Sequence, residues 1–372
     1  MSFTEFLQIP ELAERYRKVK KYFFLRESAY DVTSACQLRC DGCYYFQGDK
    51  YKTRDNRDPE AWKAFFEQEK QRGITYVVLA GAEPALVPKV LKACYETIPL
   101  GTIASNGLKP IDASIRYKIH LSVWGDSKGD PQYRKYANGK PGPNCLPAQL
   151  RNYKNDDRVI FVYTFNNNNV EELDEVIARI YEEGHKLTFN VFSNPGENGS
   201  PLKVVDALKR TREKMIAAVE QYPETVIYSR YNAEVHTQAL GLHDLFGCVY
   251  PRAQLIQGLQ GVGISQSFRS YRTDLTHHAA SDCCVPDIDC SDCRHYAAGS
   301  AIVSARLNQH VDSESKFRGW LDYVDTYLAT WIMGYEKGSN LYFGPSSAGV
   351  SAQLRTESET SPRARVGDVQ RV

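Results

Sequence analysis

The chain has no excess of charge, no long apolar run, and no fourth cysteine close to its first three. Each absence narrows what it can do. Its 46 basic side chains face 45 acidic ones, a formal net charge of +1, whereas general nucleic-acid binding goes with a basic excess. Nucleic acid is therefore not an expected partner, although a neutral surface does not exclude one specific RNA. No stretch approaches the length of about 18 apolar residues that crosses a membrane, and the amino terminus shows no signal-peptide pattern, so a cytoplasmic location is expected. In a reducing compartment ten cysteines favour metal binding over disulfides. The 372 residues, 42% hydrophobic, are enough for one large or two ordinary domains with a real core.

Cys36, Cys40 and Cys43 stand in the run Cys-Gln-Leu-Arg-Cys-Asp-Gly-Cys-Tyr. Thiolates are the soft ligands that iron–sulfur clusters select, and a four-iron cluster normally takes four of them. Three within eight residues leave one iron open to a small molecule. A zinc knuckle, or three unrelated thiols, is the plainer reading of the same spacing.

The Cys-x3-Cys-x2-Cys run resembles the signature of the radical S-adenosylmethionine (SAM) superfamily, set in the loop after the first barrel strand. The resemblance implies that these cysteines hold a [4Fe–4S] cluster, with Gly42 and Tyr44 in the cofactor loop. It implies that the amino and carboxylate groups of SAM chelate the open iron. One electron then cleaves the sulfonium to methionine and a 5′-deoxyadenosyl radical, which takes a hydrogen atom from the substrate.

Further along, Ile74 to Ala80 is a short apolar, β-branched run ending in Gly81-Ala82-Glu83-Pro84. It reads as a buried strand entering a tight loop. As an isolated feature this is an ordinary strand-to-helix turn. Beside the cysteines it is similar to the family's Gly-Gly-Glu-Pro motif, which holds the methionine end of SAM. Ala82 departs from the second glycine, and a methyl group there is tolerable only where the backbone does not need positive φ. Gly101 to Gly107 and Tyr117 to Gly125 also close on small polar residues. The first is similar to the family's Thr-Asn-Gly strand end at Ser105 and Asn106, and Ser122 lies where the fourth strand offers a hydroxyl to the SAM ribose. Taken separately, Ser105 and Ser122 read as satisfied rim hydroxyls.

Between these strands lie helical stretches: Pro59 to Arg72, closed by Gly73; Val87 to Thr97; and Val170 to Glu183, closed by Gly184. Val159 to Phe165 and Lys186 to Phe192 are the next strands. Alternating strands and helices predict a parallel sheet with right-handed crossovers. The fold class expected is α/β, a partial (β/α)6 TIM-like barrel of the radical SAM type over residues 29–235, with chemistry at the carboxyl ends of its strands. Residues 1–28 form a helical lead-in, 236–343 a cysteine-rich extension, and 344–372 a disordered tail.

Several features carry two readings. The tract Asn166 to Asn169 supplies a helix N-cap, with the others free to face SAM or substrate, as is Asn190 on the sixth strand. The basic stripe on Glu11 to Lys21 is a solvated helix face or a contact for an anionic partner. Between Gly125 and Leu150 no regular element is apparent, so a substrate lid is expected. Cys145 within it is an idle thiol or, as in some radical SAM epimerases, a hydrogen-atom donor. Phe317 to Met333 has apolar residues at helical spacing and reads as a covering helix, its aromatics packing a core or forming a substrate platform.

Cys248, Cys283, Cys284, Cys290 and Cys293 form a second thiol group. A Cys-x2-Cys pair gives two ligands from one turn, and one or two of the others complete a four-thiolate site. The region resembles the SPASM and Twitch auxiliary-cluster extensions, although it is short of cysteines after Cys293. That implies one auxiliary [4Fe–4S] cluster, with structural zinc or no metal as the alternatives and the choice between Cys283 and Cys284 open. His277, His278 and His295 flank it as solvent-facing residues or as a ligand or proton carrier.

The function expected is that of a radical SAM enzyme acting on a small organic molecule, with dehydrogenation, epimerisation or rearrangement as outcomes and an external electron donor such as flavodoxin or ferredoxin. The alternatives are a peptide-modifying enzyme, set second because roughly 28 residues before the first strand are few for a leader-recognition domain, and an RNA-modifying one. In a different class stand a non-catalytic iron–sulfur carrier or sensor and a zinc-stapled binding module.

Overall fold

A computed structural model describes residues 2–46, 53–192, 207–238, 268–277, 294 and 307–335. The strand expected ahead of the cysteines and the five apolar runs become β1 (Glu27–Asp31), β2 (Tyr76–Ala80), β3 (Gly101–Ser105), β4 (Lys118–Val123), β5 (Val159–Phe165) and β6 (Lys186–Val191). All pair in parallel with their sequence neighbours. A seventh, β7 (Ser270–Tyr271), extends the sheet beside β1, giving the order β6-β5-β4-β3-β2-β1-β7. Two residues are too few to show as an apolar run, so β7 had no visible signal. Among the described residues the sheet is open, and its edges β6 and β7 do not pair with each other.

Helices α1 (Phe3–Phe6) and α2 (Pro10–Lys20) precede β1, while α3 (Pro59–Gln71) and α4 (Pro88–Thr97) follow β1 and β2. Between β4 and β5 lie α5 (Gly129–Tyr133) and α6 (Leu146–Asn152), and α7 (Leu173–Glu182) joins β5 to β6. Then come α8 (Leu208–Gln221), α9 (Arg230–His236) and α10 (Glu314–Trp331). The local chemistry explains the ends. Asp58 caps α3 by accepting from Glu60 N, Pro59 takes the first position, and Gly73 follows at φ +90°.

Between β3 and β4, where the sequence shows no helical stretch, residues 106–117 run as a loop. One expectation is corrected. The stretch after Gly125 is not irregular, for it holds α5, α6 and an antiparallel bridge between Lys135 and Pro141. Proline and glycine punctuate it without preventing single helical turns.

Period-two alternation in β4 sends Ile119, Leu121 and Val123 into the main core with α4, α6 and α7, and leaves His120 and Ser122 on the inner face. A second core forms from Phe6, Leu12 and Val19 against Phe317, Trp320, Leu321, Val324 and Leu328 of α10. The spacing of those α10 residues is the apolar stripe of an amphipathic helix. Two cations of the basic stripe of α2 turn inward here: Arg15 meets Asp322 at 2.6 Å and Lys18 meets Asp325 at 3.9 Å. Arg17, Lys20 and Lys21 of the same stripe are exposed, so only part of it is used inside the molecule.

The last turn of α10 closes the sheet from its amino-terminal side. Trp331 O accepts from Tyr76 Oη (2.8 Å) and Thr102 Oγ1 (3.1 Å), and Thr330 O from His120 Nε2 (2.8 Å). Carbonyls that no helical N–H can reach are thereby satisfied. The described region has no helix long and apolar enough to cross a membrane.

Because Trp320 is fully buried in the second core, Trp320→Ala is expected to lower unfolding free energy by about 3–5 kcal/mol, measured as a shifted urea midpoint. An unchanged midpoint would show that this core contributes little to global stability.

Candidate active site

At the carboxyl ends of the strands opens a cavity of about 330 Å³. Cys36, Cys40 and Cys43 all line it, each partly exposed. Their loop is anchored on both sides. Thr33 Oγ1 and Ser34 N donate to Asp55 (2.6 and 2.8 Å). Arg39 N donates to Lys135 O (2.6 Å), and Asp41 N to Tyr133 O (2.8 Å). Gly42, at φ +68°, turns the chain between the second and third cysteines. Tyr44 opens a 3-10 turn, Tyr44–Phe46.

Burial pushes the Cys36 thiol up to about 11, partly opposed by the amide of Leu38 and reinforced by Glu83 and the other two cysteines; burial likewise raises Cys43. Left to themselves these thiols stay protonated at neutral pH, so a cation must take the proton's place for them to act as thiolates. Donors already point at sulfur: Leu38 N at 3.3 Å and Asn106 Nδ2 at 3.8 Å from Cys36 Sγ, and Arg134 Nη1 at 3.9 Å from Cys40 Sγ. Among the described residues no three His, Cys, Asp or Glu side chains converge on one ion-sized point. The three thiols line one cavity, and closely spaced thiolates are the soft ligands that an iron–sulfur cluster takes. The donor set fits an iron–sulfur cluster.

Glu83 is the hub of the neighbouring strand ends. Its buried carboxylate accepts from Ser105 Oγ (2.7 Å), Asn106 N (2.8 Å) and Ala85 N (3.1 Å), tying the loop after β2 to the end of β3. Burial raises its pKa, and those same donors oppose the rise. Ser105 also accepts from Gly107 N at 3.0 Å, which makes it a satisfied rim hydroxyl. Gly81 adopts φ +115°, and a Cβ there would stand 2.9 Å from Thr33 O, beside the cysteine loop. Ala82 is not among the residues with positive φ, so its methyl group is accommodated; its N–H donates to Thr33 O at 2.8 Å. Pro84 starts a buried 3-10 turn just behind the lining.

Gly42, Gly81, Ala82, Glu83, Ser105, Asn106, Ser122 and Asn190 all line the same cavity. Asn190 Oδ1 is buried there without a hydrogen-bond partner. Cys145 does not reach it: the thiol is fully buried at the start of α6 and donates weakly to Pro143 O at 3.8 Å. Nor do the asparagines after β5. Asn169 instead joins strand ends by donating to Trp124 O and Thr164 O (3.0 and 2.9 Å) and accepting from Asn166 N (2.8 Å), with no helix-capping bond. Cys248, Cys283, Cys284, Cys290, Cys293, His278 and His295 lie outside the described residues, as does the expected auxiliary cluster.

Sequence reasoning missed Arg134, Gln149 and His120, and left open whether the aromatics of Phe317 to Met333, Trp331 among them, pack a core or face the site. Arg134, 3% exposed, pairs with Asp130 at 3.1 Å and donates to the Ser122 carbonyl and, at 3.3 Å, its hydroxyl. The spacing Asp130 to Arg134 at i and i+4 was the available signal. Gln149 Nε2 bridges Asn106 O and Ser122 O, both at 2.9 Å. His120 and Trp331 line the inner end of the cavity, ring against ring at 4.7 Å. Only the return of α10 brings Trp331 there.

No protein-family model matches the chain, and neither does any curated protein. Solved structures with a similar arrangement include native anSMEcpe with bound AdoMet, 12% identical over 89% of this chain and 95% of that one, TM-score 0.48. Another is Streptococcus suis SuiB bound to S-adenosylmethionine, 17% identical over 80% and 69%, TM-score 0.48. A third is SuiB bound to precursor peptide SuiA, 17% over 71% and 62%, TM-score 0.47. In three such comparisons the chain covers 65%, 61% and 62% of the neighbour, about two thirds or less of its length.

Two outcomes test this geometry. Gly81→Ala is expected to cost about 1–3 kcal/mol, the usual strain of a non-glycine residue in such a conformation, read as a lower thermal midpoint; an unchanged midpoint would mean the loop relaxes freely. His120 is held down to about 4 by burial, opposed by its bond to Thr330 O. Its pKa is lower folded than unfolded, so the unfolded chain binds the extra proton between about pH 6.5 and 4, and stability is lost as pH falls through that window. His120→Gln keeps a donor for Thr330 O but cannot titrate, so the fall in thermal midpoint from pH 7 to 5 should become smaller. An identical fall would place the acid sensitivity elsewhere, for instance at His236, held down to about 3 by burial.

Proposed function

We propose that this chain is a radical SAM enzyme. The observation that carries the reading is that the three thiols of the Cys-x3-Cys-x2-Cys loop, the Gly81–Glu83 loop, the ends of β3 and β4 and Asn190 surround one cavity, although they are spread over more than 150 residues of sequence. Cys36, Cys40 and Cys43 would hold a [4Fe–4S] cluster through thiolates on three irons. With SAM on its open iron, such a cluster supplies the electron that releases methionine and a 5′-deoxyadenosyl radical.

The chain's own residues supply binding, orientation and water exclusion. Gly81 keeps the backbone of its loop close to the cysteine loop. Arg134, the buried cation of the rim, ties the end of β4 to the cysteine loop through the Ser122 carbonyl and Cys40, and Gln149 and Glu83 hold the strand ends that shape the pocket. Asn190 Oδ1 offers an acceptor for an N–H or O–H of cofactor or substrate. His120, neutral at physiological pH and donating through Nε2 to Thr330 O, presents no charge at the inner end. Trp124 and Phe192 form an apolar wall that keeps water from the reacting atoms.

The substrate class is the finer step. A cavity of about 330 Å³ lies at the lower end of small-ligand sites, room for about one cofactor-sized molecule. The substrate therefore meets the cofactor at the mouth. That favours a side chain presented by a peptide over a small molecule wholly enclosed in the barrel. The distal cysteines, Cys248 to Cys293, hold a second cluster in this reading, and a low-potential one-electron protein of the flavodoxin or ferredoxin type is the reductant.

The test is anaerobic reconstitution, iron counting, and assay of 5′-deoxyadenosine with dithionite and SAM. Wild type is expected to carry about eight irons and form product, and the Cys36→Ala/Cys40→Ala/Cys43→Ala variant about four and none. Stimulation by a peptide library, and not by metabolite fractions, would support the peptide reading; the reverse would restore the small molecule. A wild type that binds only zinc and forms no 5′-deoxyadenosine would sink the enzyme.

A further inference from the structure

The buried ion pair beside the cysteine loop does more than fill space. Asp130 is 0% and Arg134 3% exposed. Arg134 Nη1 stands 3.9 Å from Cys40 Sγ, and the approach is held from both sides of that cysteine by the backbone bonds of Arg39 and Asp41 to Lys135 O and Tyr133 O. The segment that carries Cys40 is stitched to the segment that carries Arg134. Asp130 is fixed in turn by Trp124 N (3.3 Å) and Cys145 N (2.7 Å), and Arg134 by the Ser122 carbonyl. Neither charge is free to turn into solvent. Burial of a cation is costly unless anions meet it; Asp130 supplies one, and Cys40 as a thiolate supplies a second.

We propose that the Asp130–Arg134 pair sets the reduction potential of the cluster held by Cys36, Cys40 and Cys43, with Arg134 favouring the reduced form and Asp130 restraining that effect. The proposal rests on the radical SAM reading and deepens it. Reduction by a low-potential one-electron donor adds one negative charge to a group that three thiolates already make anionic. A fixed charge nearby, in a medium of low dielectric, acts more on the reduced form than on the oxidised one. The guanidinium beside Cys40 therefore eases reduction, and the carboxylate bonded to that guanidinium cancels part of its field. Glu83, the other buried carboxylate on the rim, acts from the Cys36 side and opposes reduction.

Arg134→Gln, Arg134→Lys and Asp130→Asn are each reconstituted in the full chain, and iron and sulfide are counted. The midpoint of the loop cluster is then read without SAM in an EPR-followed titration with titanium citrate. Arg134→Gln is expected to shift the midpoint to more negative potential, Asp130→Asn to less negative, and Arg134→Lys to leave it near wild type. Opposite shifts from the two charge-removing variants are what a purely structural role would not produce. Midpoints unchanged at full cluster content, or shifts of the same sign, would overturn the proposal. Where Arg134→Gln retains no cluster, Asp130→Asn decides: a downward or absent shift overturns it. A wild type that takes up no iron removes the radical SAM reading and this proposal together. A normal cluster with insensitive midpoints removes the proposal alone.

Discussion

Negative charge held away from water, at the carboxyl ends of a parallel sheet, is the constraint on which the rest of this molecule depends. Three thiols and the Glu83 carboxyl crowd one rim, and burial works against the ionised form of Glu83, Cys36 and Cys43. The chain meets that cost with fixed donors rather than with solvent: three hydrogen bonds to Glu83, amide N–H groups at Cys36, and one guanidinium at Cys40. The donors come from the loop after β2, the end of β3, the cysteine loop and the segment after α5, so satisfying the charge also fastens the ends of β2, β3 and β4 to the cysteine loop. A preorganised polar site of this kind pays little reorganisation when charge changes within it.

The far end of the sheet solves a different problem. A helix that stops inside a protein leaves carbonyls without partners, and α10 stops against the inner face of the sheet. Tyr76, Thr102 and His120 provide the missing donors. This is why polar residues occupy inward positions on strands that are otherwise apolar. The same turn delivers Trp331 to the cavity, so residues 307–335, which follow the distal cysteines in the chain, take part in both the floor and the site. The amino-terminal helices complete the arrangement by covering the apolar face of α10 and neutralising Asp322 and Asp325.

Much of the fold was legible because it depends on local pattern. Runs of β-branched and apolar residues marked five strands, the cysteine motif marked the one ahead of it, and proline and glycine bounded α3 within a residue of its observed end. What escaped was short or non-local. The stretch after Gly125 concealed two helices of five and seven residues, too brief for periodicity to show. The Asn166–Asn169 tract suggested caps and ligands, yet Asn169 spends its amide on the ends of β4 and β5, a choice made by strands meeting in space. Cys145 drew notice as a thiol in a polar loop, and its burial behind the cavity wall came only with α6.

The sequence by itself determined the chemistry on offer: three thiols at cluster spacing, a glycine where the loop after β2 must come close, and strand ends carrying hydroxyl and amide groups. These are consequences of residue type and of spacing along a single element, and no partner element is needed to read them. The tertiary structure alone decided which groups share a cavity, that a cation stands 3.9 Å from Cys40, and that a helix from the far end of the chain forms the floor. Convergence of that kind follows from packing between segments distant in sequence, where the energy comes from burying apolar faces and pairing buried polar groups, and neither leaves a periodic trace in one dimension.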